Sequence, residues 1–98
     1  MTKTQNETYI RRAITDALRR SGWAVFYIFQ GLGSYKGISD LIAIRDGRTV
    51  FIEVKTQTGR QSDYQKEFQK VCEAHGCRYI LARSVNDIAE FLTIRPLF

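Results

Sequence analysis

Asp40, Glu53 and Lys55 bracket two short apolar runs that meet at Asp46-Gly47. That dipeptide favours a two-residue type I′ hairpin turn. Counting outward from the turn, Arg45 pairs with Arg48, Ile44 with Thr49, Ile42 with Phe51 and Asp40 with Glu53. A wider four-residue loop keeps the same register. Side chains alternate between faces, so Glu53 and Lys55 point one way and Val54 the other. The two acids then face each other with Cβ atoms roughly 4.5–5.5 Å apart. Like charges so placed repel. A cation between them resolves the conflict, and a pair of oxygen ligands suits a hard ion such as Mg²⁺ or Mn²⁺. A plainer arrangement stays open, in which Asp40 sits at a strand entry and pairs with Lys55 at the surface for about 0–1 kcal/mol. The residues between the acids are mostly apolar, which argues for a central hairpin, and charged groups in such a place need partners.

The elements that must hold this hairpin can be read on either side of it. Ile10, Ala13, Ile14, Ala17 and Leu18 recur at helical spacing and predict a helix over about Asn6 to Ser21. Gly22 suits its C-terminal end, and Arg19 and Arg20 suit its dipole. Trp23 to Gln30, rich in aromatic and branched residues, reads as a strand. Gly31 to Gly37 reads as a flexible loop carrying Ser34, Tyr35 and Lys36, and Thr56 to Gln61 as a second polar loop with Gly59 and Arg60. Ser62-x-x-Gln65 has the form of a capping box opening a helix from Asp63 to His75, which Gly76 ends. Arg78 to Arg83 reads as a strand. Ser84-x-x-Asp87 resembles another cap, opening a short helix to about Leu92. The order α-β-β-β-α-β-α predicts one α/β domain over residues 1–98, a mixed sheet flanked by helices on both faces.

Composition narrows the function. Ninety-eight residues with 44% hydrophobic and 26% charged side chains fit one ordinary globular domain. A net charge of +5 suggests a polyanionic partner, most often nucleic acid, although charge also serves solubility. No apolar run approaches the ~18 residues of a membrane span, and the N-terminus lacks the apolar core of a signal peptide. The expected location is the cytoplasm, or the nucleus of a nucleated host. Two cysteines are too few for a disulfide scaffold. Cys72, His75 and Cys77 offer only three soft ligands, so buried, reduced cysteine is the better reading than zinc.

Two further residues are ambiguous by themselves. Glu7 shares the helical stripe of Ile10, Ile14 and Leu18. It serves the helix dipole or reaches the same cation as the hairpin acids. Gln65 at the third helical position closes the cap or lies at the site. Lys36 and Arg60 sit in the loops entering and leaving the motif strands, which places them near a bound phosphate unless they are only solvated loop charges.

Taken in order, Gly37-x-x-Asp40, Glu53-Val54-Lys55 and Ser62-x-x-Gln65 resemble the VRR-NUC (virus-type replication-repair nuclease) family of the PD-(D/E)xK nuclease superfamily. Gly59 to Phe68 and Ala82 to Val85 also resemble the family pattern. The resemblance implies a restriction-endonuclease-like fold and a DNA endonuclease dependent on Mg²⁺ or Mn²⁺. By motif match it implies Asp40 and Glu53 as metal ligands, the Val54 carbonyl as a backbone ligand and Lys55 as the catalytic lysine. It also implies Gln65 as the glutamine near the site and Glu7 as the first-helix acid. Ser39 departs from the family, which usually has proline there.

Compact members of the family resemble Holliday junction resolvases, and no additional recognition domain is expected here. The implied substrate is branched or four-way-junction DNA. The aromatic strand Trp23 to Phe29 carries apolar residues on both faces, more than one helix covers, which suggests a homodimer. Flap trimming or nicking is an alternative task. A basic nucleic-acid-binding module without chemistry is another, since the α-β-β-β-α opening has the element order of a double-stranded-RNA-binding domain.

Overall fold

The computed structural model describes residues 6–29 and 35–92. Gln30, residues 31–34 of the first loop, Ser34 among them, and the tail 93–98 lie outside those residues. Helix α1 spans Glu7–Arg20. Its start is fixed by Asn6, whose side-chain oxygen accepts the Tyr9 amide at 2.8 Å. Its end is fixed by Gly22, whose φ of 92° is open to glycine. Ile10, Ile14 and Leu18 form its buried stripe.

Strands β1 (Ala24–Tyr27), β2 (Leu41–Arg45) and β3 (Arg48–Val54) follow, then helix α2 (Asp63–Ala74), strand β4 (Arg78–Ala82) and a 3₁₀ segment, Val85–Phe91. The order in the sheet is β1-β2-β3-β4, which leaves β1 at one edge. The β1–β2 and β2–β3 pairs are antiparallel, and β4 joins β3 in parallel after the α2 crossover. The hairpin register is the expected one: Arg45 lies opposite Arg48, Ile44 opposite Thr49 and Ile42 opposite Phe51. Asp46 and Gly47 both take positive φ, 50° and 76°, as a type I′ turn requires.

Strand alternation sorts the sheet into two faces. Val25, Leu41, Ala43, Val50, Ile52, Val54 and Ala82 join α1 and the 3₁₀ segment in the main core. Trp23 closes that core, its indole N–H donating to the Phe91 carbonyl at 2.9 Å. On the other face Phe68 of α2 packs edge-on against Phe51, centroids 5.5 Å apart, and against Tyr79 at 6.2 Å. Helix α2 packs on β4. The β1–β2 half of this face stays open, with Phe26 55% and Ile44 42% exposed.

The elements differ from expectation at their ends. Trp23 turns into the core, so β1 begins at Ala24 and is shorter than the aromatic run. Pairing continues past Tyr27 through the Ile28 amide, which donates to the Asp40 carbonyl at 2.8 Å. The last helix is 3₁₀, with a kink at Ile88. Ser84 makes no side-chain cap bond there. Asp87 instead turns its carboxylate back to accept the Arg83 amide at 2.8 Å.

Candidate active site

The hairpin ends where its chemistry begins. Asp40 stands just before β2, and Glu53 and Lys55 stand at and just beyond the end of β3. Asp40 is held from both sides. Its carbonyl accepts the Ile28 amide at 2.8 Å, and its carboxylate Oδ2 accepts the Val54 amide at 2.7 Å. Ser39, fully buried, donates its hydroxyl to the Leu41 carbonyl at 3.0 Å. That bond steers the backbone into Asp40 by a side-chain contact.

Glu53 is 2% exposed. Its Oε2 is buried without a hydrogen-bond partner. Burial pushes its pKa up to about 9. A hydrogen bond and the like charge from Asp40 add to the rise, as does the charge of Glu7, while Lys55 works in the opposite direction. Native carboxylates rarely leave a buried oxygen without a partner, because the desolvation goes uncompensated. An acceptor in that position fits a cation.

Val54 meets Asp40 through its backbone. In a strand, a residue's N–H and C=O point to the same side. The Val54 amide points at Asp40, so its carbonyl is turned toward the same end of β2. Its side chain is fully buried in the main core, which fixes the strand beneath the acids. Two carboxylates and a carbonyl oxygen fit a hard divalent ion, since Mg²⁺ is commonly held by one or two protein carboxylates and keeps several waters. Among the described residues, no three His, Cys, Asp or Glu side chains gather into a metal-holding group. Glu7 therefore acts on Glu53 by its charge from the first turn of α1, without closing a three-carboxylate cluster. Cys72 is buried and Cys77 half-buried, with His75 at the C-cap of α2.

Gln65 closes the expected capping box. Its Oε1 accepts the Ser62 amide at 2.8 Å, and its own amide donates to Ser62 Oγ at 3.1 Å. Lys36 lies over the Tyr64 ring, Nζ 5.2 Å from the centroid. Arg60 is exposed. Gly37 lets the loop carrying Lys36 rest on α2, for a Cβ there would lie 2.3 Å from the Tyr64 carbonyl oxygen.

Two arginines at the site carry more than their sequence positions disclose. Arg83 donates from one guanidinium nitrogen to the Thr56 carbonyl at 2.5 Å and the Gly59 carbonyl at 2.7 Å. It thereby pins the loop that follows Lys55. Arg11 lies one helical turn after Glu7, on the same side of α1. With Tyr27, Ile28, Phe29 and Asp40 it lines an open cleft of ≈ 210 Å³. The i, i+4 spacing from Glu7 is the sequence signal that places it there.

Comparison with known proteins gives this geometry its class. The family model of the VRR-NUC domain matches residues 3–86. A solved structure described as "VRR_NUC domain" superposes with a TM-score of 0.74, at 17% identity, covering 86% of this chain and 90% of the other. A second, described as "VRR_NUC domain protein", gives a TM-score of 0.68 at 18% identity and covers 90% and 85%. No curated protein matches the chain. Fold and motif strands together define a nuclease domain of the PD-(D/E)xK type. The chain belongs to the VRR-NUC family.

Proposed function

We propose that this chain is a Mg²⁺- or Mn²⁺-dependent DNA endonuclease that cuts branched DNA, in the manner of a Holliday junction resolvase, as a homodimer. The observation that carries the metal-dependent part is the buried, unpartnered Oε2 of Glu53 beside Asp40. Asp40, Glu53 and the Val54 carbonyl would hold the ion, with Glu7 adding negative charge from α1. The chemistry such an ion supplies is neutralisation of phosphate charge and a lowered pKa for water.

The chain's own groups do the rest. The Val54 amide holds Asp40 in one orientation. Lys55 carries its ammonium beside Glu53, where it orients the attacking water or stabilises charge developing on the phosphate. Arg83 fixes the loop behind Lys55. Gln65 has its side-chain oxygen and its backbone N–H in the cap, so its role toward substrate falls to its side-chain NH₂ group. Lys36 and Arg60 carry positive charge on the loops next to the motif strands and take neighbouring phosphates.

The branched-DNA reading rests on assembly. A resolvase makes two coordinated cuts, which a two-fold dimer supplies. The uncovered β1–β2 half of the sheet, with Phe26 and Ile44 exposed, is the surface assigned to the second copy. One experiment tests the whole reading. Purified protein is incubated with four-way-junction, flap, linear duplex and single-stranded DNA, with Mg²⁺ or with EDTA. Metal-dependent cutting that favours the junction is expected. Cutting in EDTA would remove the metal, and equal cutting of duplex and junction would leave a general nuclease.

A further inference from the structure

The cleft between α1 and the end of β1 contains an arginine that pairs with no described residue. Among the described residues, Arg11 forms no hydrogen bond or ion pair, although Asp40 lines the same cleft. A half-buried guanidinium beside an acid ordinarily pairs with it. Arg11 instead lines the cleft without such a pair. Two aromatic side chains of the cleft are left exposed by the packing: Tyr27 is 44% exposed and Phe29 87% exposed. Both line the same cleft, and Asp40 connects it to the reacting centre.

These groups match the two parts of one nucleotide. A guanidinium fork takes a phosphate in two parallel hydrogen bonds. An exposed ring takes the face of a base, and does so for any base, because each has a π-face. We infer that this cleft is the subsite for a nucleotide flanking the scissile phosphate, with Arg11 on its phosphate and Phe29, aided by Tyr27, stacked on its base. The inference rests on the nuclease reading for which nucleotide is held, and adds a requirement to it. A base inside a duplex has both faces covered, so the base in this cleft is unpaired. Preference for a branch point or strand end then arises within one protomer, at named residues, and does not depend on dimer shape alone.

The test separates this subsite from the nuclease reading. DNA binding is measured by fluorescence anisotropy in Ca²⁺ for single-stranded, four-way-junction and blunt duplex DNA, using wild type, Phe29→Leu, Arg11→Lys and Arg11→Gln. Phe29→Leu keeps an apolar side chain at an exposed position and removes only the ring. It should weaken binding of single-stranded and junction DNA roughly tenfold, the scale of one base–aromatic stack, and leave the duplex nearly unchanged. Arg11→Lys should keep part of the affinity that Arg11→Gln forfeits, because it keeps the charge but not the fork. With 2-aminopurine beside the branch, wild-type protein should quench the probe and Phe29→Leu should not.

Variants that bind and quench like wild type overturn the subsite even if the protein cuts DNA. Equal weakening on duplex and junction also overturns it, because the base would then not be unpaired. If wild type binds and quenches in this pattern but never cuts, the subsite stands and the nuclease reading fails. Wild-type protein that binds no DNA overturns both.

Discussion

The Val54 amide donates to the Asp40 carboxylate at 2.7 Å, across the open end of the hairpin. This bond makes Asp40 both a candidate ligand and a structural tie, and two substitutions separate the roles. Asp40→Asn keeps an oxygen that accepts from Val54. It should retain the fold, within a few degrees in Tm, and lose metal-dependent cleavage. Asp40→Ala leaves a buried donor unpaired and should also destabilise the protein by about 1–3 kcal/mol. Chemical denaturation together with a cleavage assay checks both, and an active Asp40→Asn protein would remove Asp40 from the metal.

Glu53 should make the metal-free protein weaker as the pH rises. Its folded pKa of about 9 lies above the ordinary 4.5, so between those values the folded state holds more proton than the unfolded state. Stability then falls with rising pH across that window. In EDTA, the wild-type Tm should decline from pH 5 to pH 9. Glu53→Gln should flatten that decline and melt higher than wild type at pH 8. Mg²⁺ should raise the wild-type Tm and leave that of Glu53→Gln unchanged. The same variant should lose cleavage while DNA binding survives or strengthens, since a negative charge near phosphate is gone. A metal-free wild type with no pH slope would show that Glu53 is not the buried acid described here.

Gln65 poses a question of allocation between cap and site. Glutamate serves a capping box as well as glutamine does, so Gln65→Glu should keep both bonds to Ser62 and the wild-type Tm. If the amide group faces substrate, cleavage should fall about tenfold or more, as when one positioned donor is removed. Unchanged cleavage would assign Gln65 to the cap alone.

Much of the site was legible because it depends on local chemistry. The Asp46-Gly47 turn sets the register, and the register sets Asp40 against Glu53. The cap at Ser62 needs only a serine and a glutamine three residues apart. What was not legible depends on how distant elements cross. Arg11 gains its cleft only once α1 lies under the end of β1. Arg83 finds the Thr56 and Gly59 carbonyls only because β4 runs parallel to β3. At the last helix only the cap differs, for Ser84 and Asp87 have cap spacing, yet the carboxylate accepts the Arg83 amide instead. The open half-sheet at Phe26 and Ile44 agrees with the surplus of apolar residues read in β1.

Gly37 should be intolerant of any side chain. Its φ is 87°, and a Cβ would lie 2.3 Å from the Tyr64 carbonyl oxygen. Backbone on both sides leaves no flexible group to move away. Gly37→Ala should cost more than about 1 kcal/mol and lower cleavage by lifting the loop that leads into Asp40. A variant with wild-type Tm and rate would show that the loop does not need its seat on α2.

Lys36 and Arg60 should reveal themselves through salt rather than sequence. Lys36 is held over Tyr64, and Arg60 is exposed on the loop after the motif strand, so both offer charge beside the proposed path of the DNA. Each phosphate that the protein ceases to neutralise lowers the slope of log affinity against log salt by about one. The double variant Lys36→Gln, Arg60→Gln should therefore flatten that slope by about two and weaken binding of all sequences alike. Phosphate carries no sequence information, so no base preference should appear or vanish. Anisotropy titrations of two unrelated sequences at several salt concentrations make the measurement. An unchanged slope would show that the two charges are merely solvated, and a slope that changed for only one sequence would mean that they touch bases.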